Sequence, residues 1–231
     1  MNKRIASVEE AIAGITDGST LMISGFGESG RPNMLIAAVL DSGVRDLTLI
    51  SNNAGDGLEG LAALFLAERV SKLACSFPRG AMAEDVGRLV NSGKLELDVM
   101  PQGTLAERIR AAGAGVGAFF TPTGYGTEIA KGKETRIIDG VGQVLEYALH
   151  ADFALVKALQ GDRWGNVTYN QLARNFSPLM CMAAKRTIVE VDEFVELGEI
   201  DPANVITPGI FVDAMVQTKA VPAQAWRFEA A

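Results

Sequence analysis

The fold is decided by residues 20–32, which read Thr-Leu-Met-Ile-Ser-Gly-Phe-Gly-Glu-Ser-Gly-Arg-Pro. The stretch begins with a short apolar run over residues 20–23, continues into a glycine-rich turn, and ends at Pro32. Proline suits the first turn of a helix, because its missing N–H would be unpaired there in any case, so a helix is expected over residues 34–40. A strand, a glycine turn and a helix in this order predict the first unit of an α/β fold.

Similar apolar runs follow along the chain, separated by stretches with helical features. Strands are predicted at residues 47–50, 70–75, 95–99 and 116–120, and helices at residues 61–67 and 104–110. The second of these helices is expected to start at a capping box formed by Thr104 and Glu107, and a similar box over residues 7–10 opens the chain. Continuous apolar strands that alternate with helices indicate an open, mainly parallel sheet flanked by helices.

The sequence pattern changes after Tyr125. Residues 135–147 alternate around Asp139-Gly140, which predicts an inserted β-hairpin. Further short strands are expected at residues 153–156, 167–169 and 187–191. Periodicity is lost from Thr218 onward, so we expect a single domain over residues 1–217 and a C-terminal tail over residues 218–231.

The composition is that of an ordinary globular protein and excludes several classes of function. Of the 231 residues 48% are hydrophobic, and the net charge of −7 is not offset by any basic block, so no nucleic-acid partner is expected. No apolar run reaches the roughly 18 residues that a membrane helix needs, and we expect a cytoplasmic protein without a membrane partner. Cys75, Cys181 and the single histidine, His150, predict two buried thiols and no metal site.

The glycine-rich turn matches a known phosphate-binding spacing. Residues 25–30 fit G-x-G-x-x-G, a loop whose backbone N–H groups bind phosphate at a helix N-terminus. The dinucleotide-binding version needs an acidic residue at the end of the second strand, whereas residues 51–53 are Ser-Asn-Asn. The turn also carries Glu28, which would lie close to a pyrophosphate. An NAD-dependent oxidoreductase is therefore a distant alternative, and a tight turn without a ligand stays open.

Polar turns follow each predicted parallel strand, at the edge where ligands of such sheets bind. The five turns are residues 24–30, 52–55, 76–80, 101–103 and 121–126. Their amides and backbone N–H groups suit an oxyanion or a carbonyl, although an Asx-turn role explains Asn52 alone equally well. No Ser, Thr or Cys has a plausible base, because His150 stands at the entrance to a strand. The sequence predicts the electrophile-stabilising half of an active site, without a nucleophile.

These residues carry a family resemblance. Residues 17–32 resemble the first signature of the family I coenzyme A transferases, with Ser24 in place of its first glycine. Further similar segments follow in order at residues 51–55, 101–110, 121–127 and 173–176. The resemblance is to the A, or α, subunit of these enzymes. In this family the B subunit supplies the catalytic glutamate from a Ser-Glu-Asn-Gly motif, which is absent from this chain.

The resemblance implies a transferase that is active only with its B subunit, in an expected A2B2 assembly. The partner's glutamate attacks a CoA thioester, forms an acyl-enzyme anhydride and then an enzyme–CoA thioester, and hands CoA to an acceptor carboxylate. No metal or permanently bound cofactor is implied, since the CoA thioester is itself a substrate. Asn52 is expected to stabilise the oxyanion, with Gln102 and Asn53 in the substrate site. The expected CoA contacts are Ser24, Gly25, Phe26, Gly27, Glu28, Ser29 and Gly30.

Residues 75–79, 132–136 and 161–166 are most similar to members that move CoA from succinyl-CoA to 3-oxoadipate in bacterial aromatic degradation. Transferases of the acetoacetate type share most of the same motifs and stay an alternative, as does a non-catalytic CoA-binding module. A dicarboxylate acceptor has a distal carboxylate that needs a cation. Arg79, at a strand end, is the candidate for it, and a surface arginine without this role is equally consistent.

Overall fold

The structure is a computed structural model that describes residues 1–78 and 82–218. The strands of this part of the chain are β1 Thr20–Ile23, β2 Leu47–Ile50, β3 Val70–Cys75, β4 Glu96–Val99, β5 Ala118–Thr121, β6 Thr135–Ile138, β7 Val141–Tyr147, β8 Ala151–Asp162, β9 Ala184–Val195 and β10 Ala214–Gln217. Seven of them form one sheet in the order β10-β9-β8-β1-β2-β3-β4, in which every described pair is parallel. The predicted open, mainly parallel sheet is confirmed.

Helices cover both faces of this sheet. They are α1 Val8–Ile12, α2 Asn33–Ser42, α3 Gly60–Leu66, α4 Ala83–Asn91, α5 Gln102–Gly113 and α6 Ser177–Ala183. Helices α1 to α4 contribute to one buried core cluster, and α5 and α6 to a second. Successive β1 side chains serve the two faces in turn, since Leu21 and Ile23 belong to the first cluster and Met22 to the second. An apolar run without polar interruptions is what a strand covered on both faces requires.

The strand order reverses direction at β1. From β1 the chain proceeds through β2 and β3 to β4 on one side, whereas β8, β9 and β10 extend the sheet on the other. In open parallel sheets, ligands bind outside the carboxyl ends of the strands at such a switch point. The glycine-rich turn follows β1 directly and contacts β8, because the Ser24 N–H donates to the Leu155 carbonyl at 3.0 Å. This turn therefore lies at the switch point.

The strand predicted at residues 116–120 does not join the parallel sheet. The observed strand, β5, pairs antiparallel with β7, which also pairs with β6, so that the three form a separate sheet. The predicted hairpin is confirmed as β6 and β7, joined at Asp139 and Gly140, whose φ angles of 50° and 78° suit a tight hairpin turn. Residues 121–126 therefore do not follow a strand of the parallel sheet, and the prediction of a fifth parallel strand before this turn is wrong.

Several local predictions also differ from the structure. Helix α5 begins at Gln102 and not at Thr104, whose hydroxyl is buried inside the helix without a hydrogen-bond partner in the described part of the chain. Residues 167–169 form isolated bridges through Val167 instead of a strand. Of the predicted capping box at residues 7–10, the Ser7 cap is confirmed, since the Glu10 N–H donates to Ser7 Oγ at 3.2 Å, while the Glu10 carboxylate accepts the Ala6 N–H at 3.2 Å. Of the predicted tail, residues 219–231 lie outside the described residues.

Within residues 1–78 and 82–218, the chain has no helix that is long and apolar enough to cross a membrane.

Asp152, on β8, bonds residues of β1 and β9 at the amino edge of the sheet. These bonds lead us to expect a stability that depends on pH. Its carboxylate pairs with Lys185 Nζ at 2.9 Å and accepts the Thr20 N–H at 2.9 Å, and these two bonds lower the pKa of Asp152 below its ordinary value. A depressed pKa stabilises the fold above the unfolded-state value, and this stability is lost as the pH falls through the folded-state value. We expect Asp152→Asn to lower the Tm by about 2–4 °C at pH 7.

Thermal melts of the parent and Asp152→Asn between pH 7 and pH 3 measure this effect. The difference in Tm should narrow below about pH 4, as the parent carboxylate becomes protonated. Lys185→Ala is the matched control and should have the smaller effect at pH 7, because the Lys185 side chain is largely exposed and surface ion pairs contribute little. A difference that is the same at every pH would contradict the prediction.

Candidate active site at the carboxyl edge of the sheet

The residues that follow β1 to β4 meet at the carboxyl edge of the parallel sheet. The glycine loop, defined as residues 24–30, follows β1, and Asn52 and Asn53 follow β2. Ser76 follows β3, and Gln102 is the first residue of α5, shortly after β4. Four of the five predicted turns therefore follow neighbouring parallel strands, as the α/β architecture requires.

The Asn52 carboxamide lies between side chains from two other elements. Its Nδ2 donates to Ser76 Oγ at 2.9 Å and lies 3.5 Å from Gln102 Oε1. The backbone is fixed as well, because the N–H groups of Ser76 and Phe77 donate to the Asn52 carbonyl at 3.2 and 3.0 Å. The bond to Gln102 is at the long limit of hydrogen bonding, so the N–H on this side is the weakly bonded one that a substrate oxygen could accept. The structure thus brings Asn52 and Gln102 together, as predicted.

Asn53 has different partners from its neighbour. Its Oδ1 accepts the Gly55 N–H at 3.0 Å and Arg31 Nη2 at 2.7 Å. The bond to a backbone N–H two residues along the chain is that of an Asx turn, so the Asx-turn role belongs to Asn53 and not to Asn52. A substrate contact by Asn53 stays a prediction, and it would use the amide nitrogen.

Arg31 was not predicted as a site residue, yet it connects two of the turns. Its guanidinium is almost fully buried and lies 2.6 Å from Glu28 Oε1 in the glycine loop, as well as against Asn53. Burial lowers the pKa of Arg31, while the charges of Glu28 and Asp56 oppose this shift, and a guanidinium stays protonated at neutral pH. Arg31 therefore forms an ion pair with Glu28 and joins the glycine loop to the turn after β2.

The N-terminus of α2 is already occupied by a carboxylate of the protein. The N–H groups of Met34 and Leu35 donate to Glu190 Oε2 at 2.9 and 3.2 Å, and Glu190, on β9, is only 3% exposed. Lys157 Nζ lies 3.2 Å from the other oxygen of this carboxylate. A phosphate would need the same helix N–H groups. The G-x-G-x-x-G spacing therefore does not form a pyrophosphate site here, and the dinucleotide alternative loses its structural basis.

The glycine loop is a tight, internally bonded turn. Ser24, which replaces a glycine of the family signature, donates through Oγ to the Gly30 carbonyl at 2.7 Å and accepts the Lys157 N–H at 3.1 Å. Phe26 and Ser29 exchange backbone hydrogen bonds of 3.0 and 3.2 Å across the turn. The hydroxyl of Ser24 thus closes the base of the loop and joins it to β8.

The thiol nearest to the site is not activated. Cys75, the last residue of β3, precedes Ser76, and burial raises the pKa of its thiol to about 12. Burial also raises the pKa of Cys181 to about 12. Both cysteines are free and buried, as predicted, and a thiol of such pKa stays protonated and unreactive at neutral pH. Across residues 1–78 and 82–218, no group of three or more His, Cys, Asp or Glu side chains is placed to hold a metal ion.

An apolar groove of about 790 Å³ extends from the site along β4. Ser76, Phe77, Val86 and Val99 are among its lining residues. Arg79, the predicted cation for a distal carboxylate, lies outside the described residues, and its role stays a prediction.

The chain is similar to known proteins over most of its length. Residues 5–218 match the model of the family described as coenzyme A transferase, and the chain belongs to this family. It is 58% identical over 223 residues to the A subunit of 3-oxoadipate CoA-transferase from Pseudomonas putida, covering 96% of each protein. It is 50% identical over 215 residues to the A subunit of succinyl-CoA:3-ketoacid coenzyme A transferase from Xanthomonas campestris pv. campestris (strain ATCC 33913), covering 93% of this chain and 88% of that one.

Solved structures share the fold. An acyl-CoA transferase (YdiF) apoenzyme from Escherichia coli O157:H7 superposes with a TM-score of 0.81 at 22% identity, over 94% of this chain and 47% of that one. The present chain thus spans about half of that protein. A variant of the decarboxylase AibA/AibB gives a TM-score of 0.79 at 27% identity, over 95% of this chain and 84% of that chain.

Proposed function

We propose that this chain is the A subunit of a two-subunit CoA-transferase, which moves CoA from succinyl-CoA to 3-oxoadipate and yields 3-oxoadipyl-CoA and succinate. The observation that carries the proposal is the Asn52 cluster, a carboxamide donor beside Gln102 with no activated nucleophile next to it in the described residues. The choice of acceptor is supported by the relative from Pseudomonas putida, which is named for 3-oxoadipate. An acetoacetate-type acceptor is the alternative, supported by the 3-ketoacid relative from Xanthomonas.

In the proposed reaction, the thioester carbonyl of succinyl-CoA is attacked by a glutamate of the B subunit. Asn52 donates a hydrogen bond to the carbonyl oxygen as it gains charge, which stabilises the tetrahedral intermediate. Expulsion of CoA thiolate leaves a glutamyl–succinyl anhydride, and the thiolate then attacks the glutamyl carbonyl, releasing succinate and leaving an enzyme–CoA thioester. The acceptor carboxylate attacks this thioester and expels CoA thiolate, which leaves a mixed anhydride of the glutamate and the acceptor. The thiolate then attacks the acceptor carbonyl of this anhydride, which releases the glutamate carboxylate and gives the new acyl-CoA. The CoA thioester is a substrate, and no permanently bound cofactor takes part.

The proposal includes an A2B2 assembly and a place in the bacterial catabolism of aromatic compounds. Large apolar side chains stay exposed near the site, with Phe77 55% exposed and Leu172 73% exposed. Leu172 lines one pocket with Phe26, which is 44% exposed in the glycine loop, and exposed apolar surface beside a site is typical of a protein–protein contact. The two unpaired thiols support a reducing, cytoplasmic location. We also propose that residues 1–217 act as one domain, since β10 ends at Gln217 as part of the main sheet.

The acceptor is tested by assaying the assembled A–B complex with succinyl-CoA and each of two acceptors. We expect kcat/KM for 3-oxoadipate to exceed that for acetoacetate at least about tenfold, which corresponds to about 1.4 kcal/mol of transition-state discrimination. The reverse preference would establish the acetoacetate alternative. Binding of CoA without turnover on either acceptor would instead indicate a non-catalytic CoA-binding module.

A further inference from the structure

Asn175 spans the glycine loop from a distant part of the chain. Its Oδ1 accepts the Gly25 N–H at 3.1 Å, and its Nδ2 donates to the Ser29 carbonyl at 3.0 Å. The same carboxamide is held in its own segment, where Oδ1 accepts the Phe176 N–H at 2.7 Å and Nδ2 donates to the Ala173 carbonyl at 3.0 Å. One planar side chain therefore ties both ends of the loop to the segment before α6.

The backbone of Asn175 adopts a conformation that favours glycine. Its φ of 24° and ψ of −119° lie outside the regions that non-glycine residues populate. Conformations of this kind persist only where the surroundings over-determine them, and they concentrate at functional sites. Glycine would adopt this backbone at little steric cost. An asparagine in this place indicates that its side chain is needed although its backbone is strained.

The glycine loop and the Asn175 segment are in direct contact. A Cβ at Gly30 would overlap the Ala173 carbonyl oxygen and would lie 2.6 Å from Asn175 Nδ2. Three other side chains support the loop: Ser24 joins its first residue to β8, Glu190 caps the helix that follows, and Arg31 pairs with Glu28 inside the loop. Asn175 differs from these supports because it bonds the loop backbone at both Gly25 and Ser29, whereas Arg31 pairs with the Glu28 side chain.

We infer that Asn175 is a positioning residue, which holds the glycine loop in the shape that receives the CoA thioester. The inference rests on the proposed role of this loop as the CoA contact. A misplaced binding element far from the reacting atoms can cost a large part of the rate. Asn175 would act through the loop, so its loss should raise the KM for the CoA donor and leave the KM for the acceptor unchanged.

The test compares wild type and Asn175→Gly in the assembled A–B complex. Asn175→Gly removes the hydrogen bonds of the carboxamide but relieves the strained backbone, and because these effects on stability oppose each other the Tm should stay within about 4 °C of wild type. We expect KM for succinyl-CoA to rise about tenfold or more, while KM for the acceptor changes less than about threefold. A merely structural role predicts a lower Tm and a lower kcat, with both KM values unchanged, and this result would overturn the inference.

Gln171→Gly is the matched control. Gln171 also has a positive φ, of 45°, in the same segment, but it is exposed and makes no bond to the glycine loop in the described structure. This variant should keep both KM values.

Hydrogen exchange gives a readout that does not depend on activity. Amides of residues 24–30 should exchange faster in Asn175→Gly, and the exchange rates of residues 47–50 should not change. An inactive wild-type complex would refute the proposed function, whereas an active complex with unchanged loop exchange and KM in Asn175→Gly would refute only the inference.

Discussion

The isolated chain is expected to show no measurable transfer of CoA from succinyl-CoA, and addition of the B subunit is expected to restore turnover. The described part of the site offers hydrogen-bond donors but no activated nucleophile, since the pKa of the nearest thiol, Cys75, is raised to about 12 by burial. Loss of the nucleophile in an enzyme with a covalent intermediate costs about 10⁶-fold in kcat. Activity of the single chain should therefore lie below detection.

Titration of the purified chain with its B partner measures this dependence. Turnover should rise with added B and saturate when the two subunits are present in equal amounts. Cys75→Ala in the complex is the control, and it should keep kcat within about threefold of wild type, because the buried thiol has no part in the proposed chemistry. Robust turnover by the single chain, or a large loss of kcat in Cys75→Ala, would contradict the division of the site between two subunits.

Replacement of Asn52 by alanine is expected to lower kcat by a factor of about 10²–10³. The Asn52 residue is 5% exposed and its amide is held by Ser76 at 2.9 Å, so its orientation is set before substrate binds. A donor that strengthens as charge develops on the thioester oxygen stabilises the transition state more than the bound substrate. KM for succinyl-CoA should therefore stay within a few-fold of wild type. Steady-state kinetics of the A–B complex, with a melting temperature for each variant, measure the effect.

Two further variants separate catalysis from folding. Asn52→Asp keeps the shape of the side chain but lacks the N–H donor, so it should lose at least as much kcat as Asn52→Ala. Asn53→Ala removes a partner of the buried Arg31 guanidinium and the Asx-turn bond to Gly55. It should lower the free energy of unfolding by about 1–3 kcal/mol with near-normal kcat in the folded fraction. Unchanged turnover in folded Asn52→Ala would remove Asn52 from the site.

Local pattern was sufficient for the elements whose signals lie within a few residues. Strands β1, β2 and β3 have the predicted bounds. Their buried positions are apolar because helices cover both faces of the sheet, and β3 carries Ser71 and Lys72 only where it is half-buried. The hairpin at Asp139-Gly140 is equally local, since its turn depends on two residues that tolerate positive φ. The alternation of strands and helices also places Asn52 and Gln102 at one edge of the sheet, so their proximity was predictable.

The sequence by itself thus determined the order of strands and helices, the polar turns that follow the parallel strands, and the family. Only the tertiary structure decided that β5 joins a separate sheet, that Glu190 fills the N-terminus of α2, and which neighbour, Asn52 or Asn53, forms the Asx turn. The contact of Glu190 with α2 joins residues 156 positions apart, and that of Asn175 with Gly25 joins residues 150 apart. Such hydrogen bonds leave no periodic or nearest-neighbour signal, because they depend on how the chain returns to the same edge of the sheet after most of its length.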